Sequence, residues 1–353
     1  MSDFKKQFTQ GKNLDSETLP QFVNFLLDEK IPIPQRADAL DAFHQKKETS
    51  EEIAALVKHF LNLAIHPHFT PADIHGPTID VCGTGGDGAG LFNVSTAVTF
   101  VLAAAGLSVL KHGNRSITSK SGGADTLEAL GIPTEIPTAQ APDFLRHTGF
   151  IFLFAPQYHP AFKTVAPVRK YLATQGKRSV FNILGPLLNP AHPDYQLAGV
   201  CDPAILPTYA QVLKHLNRKA AWIVCGKLAN GLSIDEISIT STTQIQKLSN
   251  AQIHPTEQLD PATTLSLNSV NEDALRGGTA QENATLVEQI LRGKDHTTRR
   301  DMVAVNAAAA LCLTEREPSL RQAYQKITQL LDSGAAGKVL DRARNWHPPA
   351  TDS

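Results

Sequence analysis

Apolar and polar positions change rhythm along this chain, and the rhythm predicts its elements. In the first 70 residues the apolar side chains recur at helical spacing. PQFVNFLLD (20–28) is one such stretch, Pro32 and Pro34 interrupt it, and Arg36 to His44 resumes the pattern. Thr49 with Glu52 three positions later is a capping-box signature ahead of the apolar face of Ile53, Leu56, Val57 and Phe60. No strand pattern interrupts this part, so it is expected to be a small all-helical domain over 1–75.

From Ile79 the apolar residues fall into short runs suited to buried strands: IDVC (79–82), LSVL (107–110), IFLFA (151–155), LAGVC (197–201), AWIVC (221–225) and ISIT (237–240). Helical stretches separate them, 94–105 ending at Gly106 and 124–130 ending at Gly131, and helical residues return at 283–290 and 299–344. The alternation predicts an α/β fold with a mostly parallel central sheet flanked by helices. Proline-dense 156–189 reads as a crossing between lobes. The segment of about 160–190 is therefore expected to join the helical domain, leaving 76–159 and 191–353 as the large α/β domain. Polar 240–265 reads as a surface excursion.

Composition narrows the function classes. The chain has 353 residues, more than one core usually organises, with 42% hydrophobic and 19% charged residues and a formal charge of −1. That near-neutral balance carries no footprint for non-specific nucleic-acid binding. The longest apolar stretch, 97–110, is too short and too interrupted to span a membrane, and the N-terminus MSDFKKQFTQ has no apolar signal core. Cys82, Cys201, Cys225 and Cys312 lie far apart without paired spacing, which argues against a disulfide framework or zinc site and fits a cytoplasmic location. Of the thirteen histidines only His66 and His68 stand close together in sequence.

The chemistry concentrates at DVCGTGGDGAGLFNVSTA (80–97), where five glycines and one aspartate occupy Gly83 to Gly90. A predicted strand runs into this loop and a predicted helix leaves it at Val94, the position where α/β proteins bind ligands. Glycine lets the backbone approach a ligand and turn successive N–H groups toward an anion, and the helix start with Asn93 and Ser95 adds polarity. Walker A's Gly-Lys-Ser/Thr is absent. Gly83, Gly85 and Gly88 make a formal G-x-G-x-x-G, but no acidic residue follows where a ribose partner is expected. A phosphate-bearing ligand fits; NAD or ATP does not.

Two further stretches join this loop. After the strand 107–110 comes KHGNRSITSKSGGAD (111–125), where Lys111 and Arg115 suit phosphate charge and Ser119 and Ser121 can donate hydrogen bonds. Asp235 and Glu236 are adjacent carboxylates whose repulsion a cation relieves, and Mg²⁺ prefers one or two carboxylates plus water and substrate phosphates. No nucleophile–base arrangement accompanies them. The inventory points to transfer chemistry on a phosphorylated substrate, with magnesium carrying the leaving group's charge.

GTGGD (83–87), NVST (93–96), KHGNR (111–115), GGADTLEALG (122–131), HPAFKTVAPVR (159–169) and FNILGPLLNP (181–190), in this order, resemble the anthranilate phosphoribosyltransferase family. The likeness extends to ETSEEIA near residue 50 and NAAAAL (306–311). It implies a nucleoside phosphorylase/phosphoribosyltransferase-like architecture, usually a homodimer. The implied reaction moves phosphoribosyl from 5-phosphoribosyl 1-diphosphate (PRPP) to the amino group of anthranilate in tryptophan biosynthesis, with one or two Mg²⁺ ions. By matching positions, Gly83, Thr84, Gly85, Gly86, Asp87, Asn93, Ser95, Thr96, Lys111, Asn114, Ser119 and Gly123 would hold PRPP. Ser95, Asp235 and Glu236 would hold magnesium. Gly83, His112, Asn114, His159 and Arg169 would line the anthranilate path, with Arg169 pairing its carboxylate. No residue is assigned as a general base, because the acceptor amine already carries a lone pair.

The sequence departs from the family's pattern in places. GLSIDE inserts Ser233 and Ile234 where G-L-D-E is usual, which bears on the register of the metal ligands. Cys225, Leu91, Gly123 and Phe162 stand where His, Thr, Ser and Met are common. The nearest competing reading is a pyrimidine nucleoside phosphorylase, and a more distant one is a non-enzymatic relative that binds nucleic acid.

Overall fold

The computed structural model describes residues 3–116, 120–267 and 270–348. Four helices open the chain: α1 (Asp3–Thr9), α2 (Thr18–Leu27), α3 (Ile33–Lys46) and α4 (Ser50–Asn62). The predicted capping box starts α4. The Glu52 amide donates to Thr49 Oγ1 at 3.2 Å and the Thr49 amide to Glu52 Oε2 at 2.9 Å. Glu52 itself is buried, and it also accepts from the Leu14 amide and Lys46 Nζ, each at 2.7 Å. One carboxylate thus starts a helix and ties three segments of the helical lobe together.

Among the described residues nine strands form one sheet: β1 (Thr78–Gly83), β2 (Ser108–Gly113), β3 (Phe150–Phe154), β4 (Tyr195–Gly199), β5 (Ala220–Lys227), β6 (Ser233–Ile234), β7 (Thr243–Ser249), β8 (Gln252–Ile253) and β9 (Glu257–Leu259). Their order is β3-β2-β1-β4-β5-β7-β8, with β6 on β5 and β9 on β7. The pairs from β3 through β5 are parallel, and β7 adds antiparallel to β5. The chain walks from β1 outward to β3, then returns to place β4 on the other side of β1. That reversal opens a crevice at the carboxyl ends of β1 and β4, where doubly wound sheets hold ligands.

Helices cover both faces. They are α5 (Val94–Ala104), α6 (Gly123–Ala129), α7 (Ala141–Thr148), α8 (Ala155–Tyr158), α9 (Phe162–Thr174), α10 (Leu206–His215), α11 (Pro261–Leu265), α12 (Ala280–Leu291), α13 (Thr298–Leu313), α14 (Leu320–Asp332) and α15 (Ala335–Arg344). One core packs α5, α12, α13 and α15 on Ile79, Val81, Val109, Leu197 and Val224. The other joins α10, the helical lobe and 165–188 to the opposite face through Ala198, Val200, Ile223 and Leu248. Strand residues buried on both faces explain the near-continuous apolar runs of the sequence.

Two expectations are corrected. ISIT (237–240) is buried but is no strand. Its amides go to side chains instead of a ladder, Ile237 to Asn306 Oδ1 and Ser238 to Thr243 Oγ1, both at 2.9 Å. The strand lies in the stretch expected to be an excursion. TQIQKLS (243–249) pairs with β5 along seven residues, with Thr243 and Gln246 buried and Gln244, Lys247 and Ser249 half-buried. The expected crossing at 156–189 carries α8, α9 and two 3-10 turns, Val180–Asn182 and Gly185–Leu187, and contributes no strand.

Candidate active site

At the crevice, Gly83 of β1 stands opposite Gly199 of β4. Both are glycine for the same reason: residue 235 lies across them. A β-carbon on Gly83 would come 2.0 Å from Asp235 Oδ2, and one on Gly199 would come 1.7 Å from the Asp235 carbonyl oxygen. Beyond Gly83 the loop rises into solvent with Gly85 and Gly86 at φ of +70° and +77°, conformations that L-residues with side chains rarely adopt. Its first amides are fastened below. Thr84 N–H donates to Gly199 O at 2.9 Å, and Gly85 N–H donates to Asp235 Oδ2 at 2.7 Å. The two inserted residues of GLSIDE form β6 on β5, Gly226 opposite Ile234, which brings Asp235 up against the glycine loop.

Asp235 and Glu236 are partly buried and strongly perturbed. Desolvation, then the Asp87 carboxylate, pushes Asp235 up to about 6 despite the Gly85 hydrogen bond. Desolvation and the neighbouring Asp235 push Glu236 up to about 8, against the pull of the Lys111 cation and the Ser95 amide. Lys111 is buried at the end of β2 and donates to Val81 O at 2.7 Å and Ser95 Oγ at 3.0 Å. Beside the acid pair lies a small cavity of about 10 Å³, room for roughly one water. Gly83, Ser95, Asp235, Glu236 and Asn306 are among its lining residues.

Among the described residues no group of three His, Cys, Asp or Glu side chains is arranged to hold a metal by itself. The donors that do gather, Asp235, Glu236 and Ser95 Oγ with Asp87 nearby, are hard oxygens of net negative charge. They suit Mg²⁺, which takes one or two carboxylates from the protein and the rest of its shell from water and phosphate.

Asn306 went unassigned in the sequence, although NAAAAL was part of the resemblance. From α13 it accepts from the Ile237 amide at 2.9 Å and donates to the Ile237 carbonyl at 3.0 Å and to Met302 O at 2.9 Å. This carboxamide fixes the backbone one residue past the acid pair. Its signal is a lone asparagine in an alanine-rich, largely buried helix, where a polar group needs partners.

The second loop divides its predicted residues. Gly123 begins α6, where an added β-carbon would meet Thr96 Oγ1 at 3.6 Å and Lys111 Cε at 3.9 Å, so it stands between two expected PRPP residues with room to spare. Asn114 Oδ1 accepts from the Arg115 amide at 2.8 Å. Asn93 is tied into the scaffold, its Oδ1 accepting from Thr126 Oγ1 at 2.5 Å and Asn283 Nδ2 at 2.8 Å. Arg115 turns away from the phosphate role: it pairs with Glu128 and Glu135 and stacks 4.7 Å from the Phe154 ring. Ser119 lies outside the described residues.

Of the expected acceptor-side residues, His112 and His159 meet each other. The His112 and His159 rings meet edge-on at 5.2 Å, and Phe162 packs 5.5 Å beyond His159. Both histidines are buried and neutral. Desolvation, then the His159 neighbour, draws His112 down to about 3, and desolvation draws His159 down to about 4. Arg169 on α9 lies 5.9 Å from the Phe181 ring, and desolvation lowers its pKa. Among the described residues no carboxylate pairs with it.

Comparison with known proteins gives this geometry its family. Residues 75–337 match the glycosyl transferase family a/b domain. The chain is 37% identical over 337 residues to the anthranilate phosphoribosyltransferase of Chloroherpeton thalassium, spanning 96% of this chain and 95% of that one. It is 38% identical over 346 residues to that of Symbiobacterium thermophilum, spanning 98% and 97%. Among solved structures, the anthranilate phosphoribosyltransferase of Thermus thermophilus superposes with a TM-score of 0.85 at 34% identity, covering 97% of this chain and 98% of that one. The Saccharomyces cerevisiae enzyme in complex with PRPP and Mg superposes with a TM-score of 0.79 at 26% identity, covering 93% and 90%. This chain therefore belongs to the anthranilate phosphoribosyltransferase family.

Proposed function

We propose that the protein transfers the 5-phosphoribosyl group of PRPP to the amino nitrogen of anthranilate, a step of tryptophan biosynthesis. The products are N-(5-phosphoribosyl)anthranilate and pyrophosphate. The observation that carries this reading is the glycine pair at the switch point with Asp235 laid across it. That arrangement presents free backbone amides, a buried lysine and an acid pair to one sugar diphosphate. The yeast relative in complex with 4-fluoroanthranilate supports the acceptor.

In the reaction the bond from ribose C1 to the pyrophosphate oxygen breaks and a bond from C1 to the amine nitrogen forms. Loop residues Gly83, Thr84, Gly85, Gly86 and Asp87, with Asn93, Ser95, Thr96, Lys111, Asn114, Ser119 and Gly123, hold the phosphates and ribose. Asp235, Glu236 and Ser95 would hold magnesium, which when bound supplies positive charge for the departing pyrophosphate. His112 and His159, neutral at physiological pH, serve as hydrogen-bond partners and not as proton donors. The Arg169 guanidinium, with no carboxylate partner among the described residues, is suited to the carboxylate of the acceptor. The amine attacks with its own lone pair and loses its proton afterwards, so rate comes from alignment and charge stabilisation.

The division into a helical domain (1–75 with about 160–190) and an α/β domain (76–159 and 191–353) belongs to the same proposal, with closure around the substrates excluding water. So do a homodimer formed through the helical lobe and a cytoplasmic location. Among the described residues no helix is long and apolar enough to cross a membrane. Loss of anthranilate fluorescence that requires both PRPP and Mg²⁺ is the expected result of a steady-state assay. Phosphorolysis of thymidine or uridine with no anthranilate turnover would overturn the proposal in favour of a nucleoside phosphorylase.

A further inference from the structure

The segment that follows α9 returns the chain to the sheet, and side chains from four elements take its carbonyls in turn. Tyr209 of α10 donates its hydroxyl to Ile183 O at 3.0 Å. His112 at the tip of β2 meets Gly185 O through Nδ1 at 3.2 Å, Gln196 of β4 donates to Pro186 O, and His159 meets Leu188 O through Nε2 at 2.7 Å. A carbonyl only accepts, so these contacts assign the protons: His112 carries hydrogen on Nδ1 and His159 on Nε2. His112 Nε2 is then a bare acceptor, buried and without a partner among the described residues.

Asn189 ends this segment and locks it. Its carboxamide is fully buried and donates to Asp80 Oδ2 at 2.8 Å and to Leu110 O at 2.6 Å, while its oxygen accepts from the Ala191 amide at 2.9 Å. The other oxygen of Asp80 accepts from the His112 amide at 3.4 Å. The backbone and the ring of His112 are therefore both referred to one frame, which Asn189 joins to β1 and β2. Lys111 makes its hydrogen bonds elsewhere, to Val81 O and Ser95 Oγ, although its charge faces Asp80.

We propose that Asn189 is a positioning residue for the acceptor: through Asp80 it fixes the segment whose carbonyls orient the His112 and His159 rings, and it leaves PRPP binding untouched. The proposal rests on the transfer reaction above. Asp80 and Asn189 have no exposed surface and touch neither substrate, so their effect passes through the histidines.

Asn189→Asp and Asn189→Ala test it. The charged and polar groups facing Asp80 are Lys111, Arg218, the His112 amide, Asn189, the Cys82 thiol and the Tyr209 hydroxyl, and desolvation raises the Asp80 carboxyl to about 6. In the Asp variant two carboxylates confront each other. As pH rises the proton they share is lost and the two repel, whereas at lower pH one keeps a proton and donates it to the other, restoring the bridge. The anthranilate KM of Asn189→Asp is expected to rise about 10- to 100-fold at the higher pH, the loss of one charged hydrogen bond, and to recover toward the wild-type value at the lower. The PRPP Kd by calorimetry stays within about threefold of wild type at both, since its ligands keep their own anchors. Nitrogen-15 spectra of the histidine rings in the substrate-free protein give a second readout. The His112 Nδ1–H signal is expected to shift or broaden in Asn189→Ala. PRPP affinity falling in parallel with acceptor affinity, or an unchanged KM with unchanged ring signals, would overturn the proposal. Wild-type protein that turns over no anthranilate would overturn the transfer reading instead, and the histidine spectra would then decide the clamp alone.

Discussion

The Gly85 amide donates to the Asp235 carboxylate at 2.7 Å, so the glycine loop and the acid pair are one unit although 150 positions separate them in sequence. The contact exists because Gly83 and Gly199 leave a space that Asp235 fills. Phosphate-facing backbone and metal-facing carboxylate are thereby set relative to each other by the sheet itself.

Gly83→Ala is expected to displace the Asp235 side chain, since the new methyl would sit 2.0 Å from its Oδ2. Activity should fall at least tenfold with a stability loss of about 1–3 kcal/mol. Gly199→Ala meets the main chain of residue 235 instead and should cost more stability. Thermal unfolding and kcat/KM of the two variants, compared side by side, check the order.

Acidity should govern both metal binding and stability. Glu236 at about 8 and Asp235 at about 6 each lie above the ordinary carboxylate value in the folded protein. The folded state therefore binds protons more tightly than the unfolded state. The stability from this effect is fully present below about 4, the unfolded carboxylate range, and is lost as pH rises through 6 and 8. Metal must displace those protons, so apparent Mg²⁺ affinity should weaken by up to about tenfold per pH unit between 8 and 6, where one proton is displaced, and by up to about a hundredfold per unit below 6, where two are. Melting curves from pH 5 to 9 with and without Mg²⁺ and pyrophosphate should show the ligand's stabilisation growing with pH.

Asn306→Ala should leave the Ile237 amide buried without a partner, at a cost of about 1–3 kcal/mol. The acid pair loses its fixed backbone, so the Mg²⁺ concentration for half-maximal activity should rise while anthranilate KM changes little. A magnesium titration at saturating substrates reads this directly.

Arg169→Ala should raise the anthranilate KM by about 10- to 150-fold, the loss of one charged hydrogen-bond partner, with a much smaller change in the PRPP KM. Equal effects on both substrates would contradict the carboxylate role. Arg169→Lys should recover only part of the loss, because a point charge replaces a planar fork.

Much of this was legible in the sequence. The glycine loop could be read because close backbone approach admits no side chain, and IDVC, LSVL and AWIVC because a doubly covered sheet makes its strands apolar throughout. The register of Asp235 could not be read across GLSIDE, since whether two extra residues pair with β5 or bulge outward is decided by tertiary contact. The strand 243–249 was hidden by its polar positions, and ISIT imitated a strand while spending its amides on Asn306 and Thr243. Arg115 looked like a phosphate ligand from its neighbours in sequence, but Glu128 and Glu135 claim it in space. Long-range partners of this kind leave no local pattern.

Calorimetric titration of PRPP into the folded protein tests the central claim most directly. With Mg²⁺ present, saturable one-site binding is expected for the wild type, and its loss for the Asp235→Asn, Glu236→Gln variant. Absence of binding by the folded wild type, or undiminished binding by the double variant, would contradict the account.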